Sequence, residues 1–118
     1  MEEILKQLLL KDLCARLPYR TMVKCNTDGR HEFDEELSEM HIMNFYQFDT
    51  KPYLRPMSSM TEEEKSNYRN YRYWIEKGDI EHCTINMIDW LNAHHFDYRG
   101  LIERGLALEA PKDMYTNN

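Results

Sequence analysis

The sequence predicts an α+β fold: a small antiparallel β-meander packed with about four helices, in a single domain spanning residues 1–118. Three observations predict it. An apolar stripe at three- and four-residue spacing opens the chain. Extended runs punctuated by turn residues fill residues 21–48. Helical spacing resumes after a capping signal at Thr61. A chain of 118 residues suits one domain and can bury a core without disulfides.

The first helix is predicted over residues 2–16. Ile4, Leu5, Leu8, Leu9 and Leu13 share one face, while Lys6, Gln7, Lys11 and Asp12 fall mostly on the other. Glu2 and Glu3 in the first turn and Arg16 in the last complement the helix dipole, and Pro18 ends the helix. Thr21 to Cys25 is β-like, and Asn26-Thr27-Asp28-Gly29 is a turn signal. Arg30 to Leu37 reads as the return strand, although Asp34-Glu35-Glu36 weakens it. His41 to Phe48, rich in aromatics, reads as the third strand. Such a meander needs a helix on one face, and the first helix is the cover.

Residues 49–60 read as an ordered but irregular connection, with Pro52 and Pro56 flanking Tyr53-Leu54-Arg55. Thr61 and Glu64 form a capping box, so a helix is predicted over 61–77, stopping at Gly78. Tyr68, Tyr71 and Ile75 form its stripe, with Trp74 beside them. A further helix is predicted over 84–95, with Ile85, Ile88 and Leu91 in line. Asp97 then caps a short helix over 98–104 that Gly105 ends.

Fifteen basic residues against 21 acidic give a net charge of −6, which repels phosphate and argues against nucleic acid as a partner. The acidic start Met1-Glu2-Glu3 opposes a secretory signal. The run Leu8-Leu9-Leu10 is far too short to span a membrane. Three cysteines, Cys14, Cys25 and Cys83, are odd in number and read as reduced thiols. The expectation is a cytoplasmic protein without a membrane segment. Its oligomeric state is left open.

The densest chemistry is the block Trp90 to Ile102, which holds His94, His95, Asp97 and Arg99. Adjacent histidines point about 100° apart on a helix, whereas paired zinc ligands sit at i and i+4 or on separate elements. Asp97 or His82 with one histidine would make only a partial site. A hydrolase built on His94, His95 and Asp97 would need a nucleophile such as Cys83 or Ser59. Neither lies in a nucleophile-elbow pattern. The sequence therefore assigns no catalytic residue, metal or cofactor. The block reads best as a structural joint between two helices.

Arginines and aromatics elsewhere suit a protein interface: Tyr53, Arg55, Met57, Arg69, Arg72 and Tyr73 are the candidate interaction surface. Arg69 and Arg72 interleaved with tyrosines could instead contact nucleic acid. The acidic run Asp34-Glu35-Glu36, with Glu32 and Glu39, reads as a solvated strand edge.

Three stretches carry a resemblance: Lys51-Pro52-Tyr53-Leu54-Arg55-Pro56-Met57-Ser58-Ser59-Met60-Thr61-Glu62-Glu63-Glu64, Leu8 to Tyr19, and Asp89 to Pro111. The chain resembles a family of small uncharacterised proteins from gut anaerobic bacteria, their phages and mobile elements. The match covers over half of the chain and is weakest over residues 20–50. It carries over no activity, cofactor or catalytic residue. It implies a cytoplasmic protein with an origin on a mobile element, and small proteins of such origin are often accessory or host-modulating factors. It also implies a glycine at residue 20, where this chain has Arg20.

Overall fold

In the computed structural model, which describes residues 2–26 and 28–115, the apolar spacing at the start of the chain becomes helix α1 (Glu2–Arg16). Strand β1 (Met22–Asn26) follows, with Val23 and Cys25 buried and their neighbours half-buried. The turn after it is closed by side chains. Asn26 Oδ1 accepts from the Gly29 amide, and Asp28 Oδ1 accepts from the Arg30 and His31 amides. Gly29 supplies the left-handed φ of 79°. The chain returns antiparallel as β2 (Glu32–Glu36), in register from Met22 opposite Glu36 to Asn26 opposite Glu32. β2 is the sheet edge, so its acidic residues line a row of unpaired backbone groups and discourage strand addition there.

The third strand is not at 41–48. That stretch opens as a short helix, α2 (Glu39–Met43), and continues in turns. A local cap decides it: the Ser38 amide donates to His41 Nδ1 at 3.0 Å, filling the place that a glutamate takes in a usual capping box. The strand forms one segment later, as β3 (Asp49–Leu54), through Pro52. β1 pairs with it antiparallel on one side. The short β4 (Leu108–Glu109) pairs parallel with only Tyr53 and Leu54 on the other, leaving at Pro52 an unpaired side where a missing N–H costs nothing. The fold is α+β, but the sheet, in order β2-β1-β3-β4, is mixed rather than an antiparallel meander.

Helix α3 (Glu62–Glu76) carries the capping box: the Glu64 amide donates to Thr61 Oγ1 at 3.2 Å and the Thr61 amide to Glu64 Oε1 at 2.9 Å. Helix α4 (Ile80–Ala93) begins four residues earlier than residue 84, directly after Gly78 and Asp79. The helix expected over 98–104 is a set of turns. Gly100 at φ 73° breaks it, because a right-handed helix cannot pass through that conformation. Asp97 nevertheless caps the segment, accepting from the Leu101 and Ile102 amides at 2.8 and 2.9 Å.

Two apolar clusters result. One joins α1 to the inner sheet face through Leu9, Leu13, Val23, Leu37, Leu54 and Leu101. The other holds Met60, Leu91 and Phe96 beneath α3 and α4. Asp12, expected on the solvent face of α1, is fully buried together with Arg16. The reason is their mutual bond, Arg16 Nε to Asp12 Oδ2 at 2.7 Å, which lets a charged turn of helix face inward.

Arg16→Ala would leave Asp12 buried with only Arg99 as its cation. Urea denaturation should show a loss of about 3–5 kcal/mol. Arg20 occupies a left-handed turn at φ 59°, and its side chain is largely exposed. Arg20→Gly should raise stability by about 0.5–1 kcal/mol in the same assay, by removing a steric penalty of the kind glycine escapes.

Candidate functional site

Helix α4 ends in a glycine-type stop without a glycine. His95 has φ 64°, the Phe96 amide donates to the Leu91 carbonyl at 3.0 Å, and the His95 amide donates to the Asn92 carbonyl at 3.0 Å. These are the bonds of a Schellman motif, and Leu91 and Phe96 supply its apolar contact. The His95 ring explains why histidine stands there. It stacks on Tyr115 with centroids 3.7 Å apart, and its Nδ1 lies 3.1 Å from Thr21 Oγ1.

The next residues run beside the end of β3. The Arg55 amide donates to the His95 carbonyl at 2.7 Å and the Asp97 amide to the Arg55 carbonyl at 2.8 Å. Phe96 is fully buried, with the Arg55 guanidinium 4.2 Å from its ring centre and Trp90 at 5.7 Å. Its carbonyl accepts from Arg16 Nη2 at 2.7 Å. Tyr115 closes the other side, donating to the Tyr53 carbonyl at 2.7 Å and accepting from the Met22 amide at 2.8 Å.

Burial shapes the electrostatics. It lowers the His95 pKa to about 4, together with the cation Arg16, neighbouring His94 and the cation Arg55. Burial pushes Tyr115 up to about 12, against the opposing Met22 amide bond. The hydrogen bond from Arg55 holds Glu64 below the usual carboxylate range. His95 is therefore a neutral ring near pH 7, and its hydroxyl partner Thr21 is fully buried. His94 Nδ1 lies 3.0 Å from the Trp90 carbonyl, which only accepts, so that nitrogen carries the proton. Arg99 Nε donates to Asp12 at 3.1 Å.

The structure thus brings His94, His95, Asp97 and Arg99 into one joint without aiming them at one point. His94 faces the Trp90 carbonyl, His95 faces Thr21, Asp97 holds two backbone amides, and Arg99 reaches α1. Beside the joint lies a cleft of about 620 Å³, with Arg55, Thr61, Glu64, His94, Lys112 and Tyr115 on its walls. Its size is that of a ligand site. Its best-placed cation, Arg55, is already paired in two bonds to Glu64 at 2.9 and 2.7 Å.

The six candidate interaction residues separate. Tyr53 is buried, its hydroxyl donating to Asp34 at 2.8 Å, because its side chain lies across the outer sheet face. Arg55 lines the cleft, and Met57 packs against the second apolar cluster. Arg69, Arg72 and Tyr73 are exposed on α3. Around the turn joining α3 to α4, Tyr73 is 52% exposed, Trp74 49%, Ile80 59% and Ile85 61%. The sequence reading set Trp74 beside a core stripe and placed Ile85 on the inward line of its helix. Six residues before buried Leu91, Ile85 lies about 120° round the helix from it and so falls outside the buried face. Among the described residues one trio offers converging metal-ligand atoms: Cys25, Glu35 and His41 lie within 4.8 Å of one another. No periodicity links these positions: the β1–β2 register brings Cys25 and Glu35 together, and His41 joins them from α2.

No family model, curated protein or solved structure matches the chain.

The His95 shift fixes a pH dependence. Below the ordinary imidazole pKa of 6.5 the unfolded chain takes up a proton that the folded chain refuses until about 4. The stabilisation is complete above pH 6.5 and is lost as pH falls toward 4. Its slope approaches about 1.4 kcal/mol per pH unit. Denaturation of wild type and His95→Gln across this window should show a steeper loss in the wild type, the difference between the two being the His95 contribution.

Proposed function

We propose that the chain is a cytoplasmic, non-enzymatic accessory factor that binds another protein through the outer side of the α3–α4 hairpin. One observation carries the reading: Tyr73, Trp74, Ile80 and Ile85 are exposed together around the hairpin turn. α3 contains no buried residue. Tyr68, Tyr71 and Ile75, half-buried, hold it on one side only. Trp, Tyr and Arg are the side chains that most often dominate binding energy, and Arg69 and Arg72 lie on the same helix. The resemblance to proteins of phages and mobile elements supports a host-modulating role by association.

An enzyme at His94, His95 and Asp97 stands behind this reading, since their polar atoms hold backbone and buried partners. Nucleic-acid binding through Arg69 and Arg72 has their exposure in its favour and the net charge of −6 against it.

The test compares three tagged proteins in the native host: wild type, Trp74→Ser/Ile85→Ser, and the control Met43→Ser, altered at an exposed methionine of α2. Wild type and control should recover the same stoichiometric partner after nuclease treatment. The double variant should bind that purified partner at least about 30-fold more weakly, as loss of a hot spot implies. Equal affinity of all three would contradict the reading, as would a partner released by nuclease.

A further inference from the structure

Cys25 and Glu35 lie on the inner face of the β1–β2 ladder as diagonal neighbours, because Cys25 pairs with Phe33 and Val23 with Glu35. His41 reaches the same point from α2. Its Nε2 lies 2.7 Å from Glu35 Oε2, and the three ligand atoms all fall within 4.8 Å of one another. Cys25 and His41 are fully buried, while the Glu35 side chain is 35% exposed at the sheet edge. Thiolate, imidazole and carboxylate are the donors that zinc takes, and three protein ligands with one open position is a recognised arrangement. We propose that Cys25 Sγ, Glu35 Oε2 and His41 Nε2 form a binding site for Zn²⁺, with the fourth position open to solvent beside Glu35.

The hydrogen bonds already present define how the ion enters. Without it the Ser38 amide donates to His41 Nδ1 at 3.0 Å, so the neutral ring carries its proton on Nε2 and donates it to Glu35. Zinc takes the place of that proton. The imidazole proton moves to Nδ1, where Ser38 Oγ at 3.3 Å accepts it, and the Ser38 amide turns away. Glu35 binds as the carboxylate. Cys25, whose thiol burial keeps protonated, loses its proton to solvent, so uptake releases about one proton per ion. The bound ion joins the edge strand β2 to β1 and to α2. The lost Ser38 amide bond moderates the affinity and makes that amide a reporter of occupancy.

The test uses the full chain, freed of metal by chelation, with Co²⁺ as the optical probe and Zn²⁺ as competitor. One equivalent of Co²⁺ should produce a saturable thiolate-to-cobalt charge-transfer band, which Zn²⁺ removes. Cys14→Ser/Cys83→Ser should keep the band, and Cys25→Ser should abolish it. Glu35→Gln should weaken binding by more than about tenfold. Where Cys25→Ser fails to fold, the Cys14→Ser/Cys83→Ser and Glu35→Gln variants decide. In amide spectra of wild type, the Ser38 resonance should move on Zn²⁺ addition. Absence of the band, its loss in the Cys14→Ser/Cys83→Ser variant, or Glu35→Gln affinity equal to wild type would overturn the site. The outcome is independent of the α3–α4 surface.

Discussion

The buried Arg16–Asp12 pair is the constraint around which the rest of the structure is arranged. A guanidinium out of water loses its hydration and must recover it from fixed partners. Arg16 recovers it from the Asp12 carboxylate on its own helix and from the Phe96 carbonyl of the joint, with the Tyr98 ring 5.2 Å away. Arg99 binds the other oxygen of Asp12. Among the described residues Arg16 Nη1 is the one buried side-chain polar atom without a hydrogen-bond partner. The knot therefore fastens α1 to residues 95–99, at the border of the two apolar clusters.

That fastening explains the strained histidine. The chain must leave α4 sharply enough to bring the Phe96 carbonyl to Arg16 and the Phe96 ring under Arg55. A left-handed residue at 95 makes that turn. Glycine would make it more cheaply, but only a ring there can stack on Tyr115 and meet Thr21. The same burial that fixes the ring keeps it neutral. The joint sets one wall of the cleft through His94 and anchors the end of the hairpin opposite its exposed turn. Structural chemistry thus gathers at 94–99, and the exposed Tyr73, Trp74, Ile80 and Ile85 gather around the hairpin turn at the far end of α4.

The features legible in the sequence are those decided locally. The α1 stripe, the Asn-Asp-Gly turn and the Thr61–Glu64 box depend on residues within a few positions, and the structure contains all three, except that Ile4 at the start of the stripe is exposed. The Trp90–Ile102 block reads as a joint from its lack of ligand spacing, and its side chains hold such contacts. The misread elements were decided by distant partners or by a competing local bond. His41 to Phe48 has strand composition, yet the Ser38–His41 cap starts a helix there and Thr50 pairs with Cys25 instead. Asp12 reads as solvent-facing from helical spacing because Arg99 and the Phe96 carbonyl, which hold the Asp12–Arg16 pair inward, lie 80 or more residues further along the chain. Tyr53 reads as exposed because the Asp34 beneath its hydroxyl lies on another strand.

The most direct measurement of the Arg16 knot is hydrogen exchange of the arginine side chains, followed by nuclear magnetic resonance. If the knot holds the fold together, the Arg16 Nε proton exchanges orders of magnitude more slowly than that of exposed Arg69. It then becomes accessible only in the opening that also exposes the Phe96 and Leu101 amides. Exchange of Arg16 as fast as Arg69, with the Phe96 and Leu101 amides still protected, would contradict the account.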